Sequence, residues 1–402
     1  MMSIRLNRFC RASFLLAVLL GFTAAARADL SAIFTNANAT ASKAIPRRAS
    51  IILIQCDGLG YGDLSCYGQT KFQTPNLDKL AAGGMRFTNF YSVSAASSPA
   101  RAALMTGKDA EHLKQRADVN VALSGDETTV AQILKNSGYH TGLIGEWVLG
   151  DETTSGAPWR KGFDEFAGYF DPADAENVYA DYIFRYAPKS ILNPTNNQFE
   201  TYSGREMLYP NTGGKHGKYL PDLLTLGALN FIKNNLPDQF NKYQPFFLAL
   251  NYKIPGDKIS VPTDAPFSSE TWSQAEKNKA AIITRLDGYI GQIVEQLQKS
   301  GMTNNVAIFF TSDTIPKKIA GVDPKFFNSF ASTNDLLVPM IANWPEKIPA
   351  GKVSGFTWTA ADFLPTAAEI AYTKPPENID GVSVLPTLQG KAQPGQYETA
   401  PK

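Results

Sequence analysis

Two stretches of the chain hold residue types whose order suits chemistry on an anion. Ser97 stands just before a helix expected to begin at Pro99, and Arg101 follows one turn in. The start of a helix offers unpaired backbone N–H groups and the positive end of the helix dipole, so a developing oxyanion is stabilised there, and Arg101 adds a fixed cation. A serine at such a position also serves as an ordinary helix cap. Elsewhere, Asp57 and Asp313 each follow a short apolar run, Ile51 to Ile54 and Val306 to Phe310. Carboxylates at two such ends either share a hard cation or cap the turns that come next.

Those residues need a scaffold, and the hydrophobic pattern supplies one. Ile51-Ile52-Leu53-Ile54, ended by Asp57-Gly58, reads as a strand buried on both faces. Thr74-Pro75 opens a helix with a threonine cap and a proline at its first position, and Gly83-Gly84 closes it. A strand from Met85 to Tyr91 precedes the short helix that Gly107 ends. A helix to Asn136, a strand from Tyr139 to Gly145, a helix from Pro221 to Asn234 and a strand from Phe246 to Tyr252 continue the alternation. Ile282, Leu286, Ile290, Ile293 and Leu297 give the longest helix one apolar face, and Val306 to Phe310 returns to strand. This order predicts an α/β fold, with a mostly parallel central sheet and helices on both faces. Ligands of such sheets sit beyond the carboxyl ends of the strands, which puts Asp57, Gly145-Glu146, Pro255-Gly256 and Ser312-Asp313 along one rim.

The 402 residues carry 38 basic and 37 acidic side chains, a formal charge of +1, so no global field draws the chain to nucleic acid or to an anionic membrane. Arg5, Arg8 and Arg11 precede an apolar run from Phe14 to Phe22 and an Ala26-Arg27-Ala28 cleavage pattern, which reads as a signal peptide over residues 1–28. Export to a periplasmic or extracellular compartment follows, with no membrane span in the mature chain. A linker over 29–47, one domain over 48–390 and a flexible tail over 391–402 complete the expected organisation. An oxidising compartment permits a Cys56–Cys66 disulfide, and the sequence leaves that pairing open.

The wording around Ser97 is more specific than its position. Ser97-Ser98-Pro99-Ala100-Arg101, running on to Thr106-Gly107, resembles the signature of the sulfatase family, in which a Cys or Ser followed by x-Pro-x-Arg is oxidised to formylglycine. Asp57 through Asp63, Thr74 through Asp78, Gly162 through Phe166, Pro245 through Leu248, Phe310 through Asp313 and Asp380 through Ser383 continue the resemblance in the family's order. It implies an alkaline-phosphatase-like α/β fold and a calcium-dependent sulfuric ester hydrolase. In it Asp57 and Asp313 hold the metal, Ser97 is the formylglycine position and Arg101 orients it.

Departures from the family pattern gather on that same site. Gly58 and Thr314 replace an aspartate and an asparagine of the metal cage, so two carboxylates with water are left to hold calcium weakly, near the millimolar end of the known range. Glu146 and Val148 stand where Lys-Trp-His-Leu-Gly is expected, and Gly256 where a histidine is; a second lysine aligns near Asn328. Glu146 for lysine turns an attraction for sulfate into a repulsion, about 4 kcal/mol for one pair at ~4 Å and an effective dielectric of 20, unless it pairs with Arg101 and occupies it. General acid help, typically worth 100-fold or more, has lost its histidines. The pattern therefore points to a pseudo-sulfatase that binds a glycan, a sulfate ester or a partner protein. A working sulfatase acting through formylglycine at Ser97 is the alternative; phosphoryl or phosphonate hydrolysis would meet the same ligand shortage.

Overall fold

The computed structural model describes residues 48–393 apart from 116–120, 172–176, 194, 196–197, 203, 238–242, 255–259, 316–320, 324–325 and 327–335. The expected signal peptide and linker, residues 394–402 of the tail, Pro255, Gly256 and Asn328 lie outside the described residues.

Numbered in chain order, β1 (Ser50–Asp57), β2 (Met85–Phe87), β4 (His140–Glu146), β5 (Glu165–Tyr169), β6 (Ile183–Tyr186), β9 (Arg205–Leu208), β10 (Phe246–Lys253), β11 (Val306–Ser312), β12 (Met340–Asn343) and β13 (Lys352–Ser354) form one sheet among the described residues. Their spatial order is β13-β2-β12-β11-β1-β10-β4-β5-β6-β9. The five central strands, β11-β1-β10-β4-β5, are parallel. Antiparallel pairing enters on both flanks, at β12 and at β6 and β9. Two short ribbons stand apart: β3 (Phe90–Tyr91) with β14 (Trp358–Thr359), and β7 (Lys189–Asn193) with β8 (Gln198–Tyr202).

Successive side chains of a strand face opposite sides of the sheet, and β1 is buried on both. Ile51 and Leu53 join a core with the helices Ser97–Thr106, Val130–Asn136 and Phe363–Ile370, while Ile52, Ile54 and Cys56 join one with the helices Pro75–Ala82, Leu220–Asn234 and Gln274–Lys299. Burial on both sides is why β1 reads as an unbroken apolar run. Its register sets Cys56 beside Ser312 and Asp57 beside Lys253, so the strand ends form a common rim.

Two local expectations change, and the open question of the two cysteines is answered. The strand expected from Met85 to Tyr91 is broken, because β3 leaves the sheet to pair with β14. Thr74 does not cap the Pro75–Ala82 helix with its side chain. The Asp287 carboxylate does so from the long helix, accepting from the backbone N–H groups of Asn76 and Leu77 at 2.8–3.2 Å. Cys56 and Cys66 are both free thiols. Burial raises both, Cys66 to about 12, and nearby carboxylate charges add to it, so neither is a ready thiolate.

Candidate active site

Ser97 is the first residue of its helix, and Ala96 holds the capping position without a side-chain bond. The serine hydroxyl is therefore not an N-cap; it donates to Asp57 Oδ2 at 2.8 Å. Asp57 Oδ1 accepts from the Thr314 hydroxyl at 2.7 Å, and Thr314 Oγ1 in turn accepts the Gly58 N–H at 3.0 Å, tying the end of β1 to the turn after β11. Lys253, the last residue of β10, sets its ammonium 2.5 Å from Asp57 Oδ2.

Arg101, one turn into the helix and fully buried, bonds the other two carboxylates of the rim. Its Nη2 donates to Glu146 Oε2 at 2.9 Å and to Asp313 Oδ2 at 2.8 Å, and Nη1 reaches the backbone carbonyls of Glu146 and Trp147. Gln55 Nε2 also donates to Asp313 Oδ2, at 2.8 Å, and Asn251 Nδ2 to the Glu146 carbonyl, at 2.7 Å. Glu146 thus pairs with Arg101 and occupies it. Gly145 before it has φ +111, and a Cβ there would fall 1.9 Å from the Asn251 carbonyl oxygen, so only glycine lets β4 deliver Glu146 inward.

Three carboxylates and two cations share the rim. Burial works against ionising Asp57, but Lys253 and then Arg101 hold it below the ordinary value. Burial, joined by the Asp57 charge, pushes Asp313 up to about 8 against the pull of Arg101, and burial likewise raises Glu146. Protonating one carboxylate at neutral pH balances the cluster. Hydrogen-bonding capacity is left over all the same: among the described residues Gln55 Oε1, Asn251 Oδ1, Glu146 Oε1, Asp313 Oδ1 and Arg101 Nε are buried without a protein partner.

The residues at the family's metal positions do not fit a divalent cation. Gly58 has no ligand, the Thr314 hydroxyl is turned onto Asp57, and each aspartate already carries a side-chain cation. Among the described residues the one gathering of three His, Cys, Asp or Glu ligand atoms within 4.8 Å is Asp109, His112 and Asp380, past the far end of the Ser97–Thr106 helix. There His112 and Asp380 are already hydrogen-bonded at 2.8 Å.

Ser97, Arg101, Asp57, Gly58, Glu146, Asp313 and Thr314 thus meet at one rim. Val148 is buried beside it in a left-handed conformation, φ +55, its carbonyl accepting from the Ser98 hydroxyl at 3.4 Å. Gly256 lies outside the described residues. The sequence reading missed Lys253, Gln55 and Asn251. Each is a polar residue inside or ending an otherwise apolar buried strand, which was the signal available.

The sulfatase family profile matches residues 49–373. N-acetylgalactosamine-6-sulfatase of Canis lupus familiaris is 30% identical over 377 residues, covering 86% of this chain and 67% of the relative. The crystal structure of Ps i-CgsB in complex with k-i-k-neocarrahexaose superposes with a TM-score of 0.68 at 29% identity, over 85% of this chain and 76% of that one. Phosphonate monoester hydrolase of Agrobacterium radiobacter shares the fold at a TM-score of 0.61 and 18% identity, over 88% and 79% of the two chains. The expected alkaline-phosphatase-like α/β architecture is the observed one, and the chain belongs to the sulfatase family, whose members are sulfuric ester hydrolases that typically use formylglycine and a metal ion.

Proposed function

We propose that this is an exported pseudo-sulfatase: a chain that keeps the sulfatase scaffold, has lost hydrolysis, and serves in binding, with a glycan as the favoured ligand. One observation carries the reading. The two cations at the described rim are spent on the protein's own carboxylates, Arg101 on Glu146 and Asp313, and Lys253 on Asp57. A sulfate group would have to break those pairs to gain a clamp, and calcium would find its ligands engaged, so any calcium binding is weak. Stabilising developing charge is usually the largest catalytic contribution, and losing one donor alone costs about 100-fold to 1,000-fold. The glycan assignment draws on relatives named N-acetylgalactosamine-6-sulfatase and on a structural neighbour in complex with k-i-k-neocarrahexaose. Among the described residues no helix is long and apolar enough to cross a membrane.

The competing reading, an active sulfatase, has one observation in its favour: Ser97 sits at a helix start with its hydroxyl 2.8 Å from Asp57, where a matured nucleophile would belong. Mass spectrometry of the Ser97 peptide and turnover of a chromogenic sulfate ester, with and without a co-expressed maturation enzyme, separate the two. The expected outcome is no Ser97-dependent turnover even when Ser97 is converted. Clear turnover that disappears in Ser97→Ala would restore the sulfatase reading.

A further inference from the structure

We propose that Lys253 is a built-in cation that takes the electrostatic place of the divalent ion, so that the rim is closed to calcium by its own side chain and opens to calcium when that side chain is removed. The proposal rests on reading this rim as the family's metal position. The parallel register of β1 with β10 places Lys253 directly beside Asp57, and the ammonium lies on Oδ2 with both side chains under one-tenth exposed. An ammonium there and a metal bound to the same carboxylate compete for the same lone pairs. They also repel at close range in a medium of reduced dielectric.

The second observation is the set of oxygens left over. Asp313 Oδ1, Glu146 Oε1, Gln55 Oε1 and Asn251 Oδ1 are buried acceptors with no partner, and the amides at Gln55 and Asn251 have their orientations fixed by the bonds their nitrogens donate. Carboxylate and amide oxygens are the ligands a hard divalent cation takes. Arg101 already pairs Glu146 and Asp313, so Lys253 is the cation that holds the remaining carboxylate of the rim, and removing it frees Asp57 as the leading ligand.

Calcium chloride added to chelator-treated protein tests this, read as the thermal unfolding midpoint and by isothermal titration, on the unaltered chain and on Lys253→Met. Methionine keeps the length of the stem and removes the charge. At about 10 mM calcium the unaltered chain should show no shift. Lys253→Met should gain a midpoint that climbs with calcium, as expected for a dissociation constant of about 1 mM and roughly a tenfold change in the folding equilibrium. Adding Asp57→Asn to that variant should abolish the gain. An equal calcium response in the unaltered chain, or none in folded Lys253→Met, overturns the proposal. If Lys253→Met folds poorly, Lys253→Gln and the refolding yields in calcium against chelator give the same reading: a higher yield in calcium supports it, and equal yields overturn it. Because no sulfate ester is involved, turnover by the unaltered chain would refute the function proposed above and leave this result standing.

Discussion

Asp63 and Asp57 lie six residues apart, both buried and both paired with a lysine, yet their surroundings are finished differently. Asp63 accepts the Gly60 N–H at 2.7 Å on one oxygen and Lys279 at 3.1 Å on the other, and neither member of that pair leaves a buried polar atom unpartnered. The Asp57–Lys253 pair leaves none either, and the contrast lies beside it: among the described residues Gln55, Asn251, Glu146, Asp313 and Arg101 keep five buried polar atoms without a protein partner. The Asp63 pair completes an architecture. The rim beside Asp57 keeps hydrogen-bonding capacity that the protein's own groups do not use, whereas the Asp63 pair keeps none.

Substitution should expose the contrast. Asp63→Asn leaves the Lys279 ammonium buried without its carboxylate, and a loss of about 3–5 kcal/mol in chemical denaturation is expected. Glu146→Gln keeps an acceptor for Arg101 and reduces three carboxylates facing two cations to two, so it should cost less than about 1 kcal/mol or stabilise. Similar losses at the two positions would break the comparison.

Acid–base behaviour sharpens it. The folded Asp313 value of about 8 lies above that of an unfolded aspartate, so its contribution is fully present below about pH 4 and is lost as pH rises toward 8. Stability should fall across that window with a slope of up to about 1.4 kcal/mol per pH unit from this one group. Asp313→Asn should flatten the slope in denaturant titrations taken at several pH values; an unchanged slope would assign the proton elsewhere.

The smallest effect belongs to the cap. Asp287→Ala removes the bonds to the first turn of the Pro75–Ala82 helix and should cost about 1–2 kcal/mol, with no change in the pH slope that Asp313 sets.

Most of the parallel core was legible in the sequence because its strands are buried on both faces and read as apolar runs closed by Asp-Gly or Ser-Asp. The short strand β5, though parallel to β4, and the strands from Ile183 to Leu208 were not. The latter form antiparallel excursions, and β9 is exposed along its whole length, so no apolar run marks it. The break between β2 and β3 was hidden too, since Thr88 and Asn89 interrupt the apolar pattern no more than the pleat of a strand would. At the rim, the motifs brought Asp57, Ser97, Arg101, Glu146 and Asp313 together correctly as positions. Their partners depend on which strand lies beside which. Lys253 meets Asp57 only through the β1–β10 register, across 196 positions of sequence, and the Asp287 cap likewise bridges 211.

Val148 and Gly58 replace side chains of the family pattern, but their backbones set unequal conditions for undoing the change. A branched residue held at φ +55 carries strain on the order of 1–3 kcal/mol, and histidine is among the residues that accept this region more readily. Val148→His thus asks for a side-chain exchange on a backbone already shaped for it. Gly58 sits at φ +83 with the Ile254 carbonyl oxygen 3.1 Å from where a Cβ would stand, so Gly58→Asp asks the Ile254 backbone to give by a few tenths of an ångström besides accepting a strained φ. An attempt to restore the family side chains would therefore meet only a side-chain exchange at Val148, while at Gly58 it must also move a neighbouring strand end.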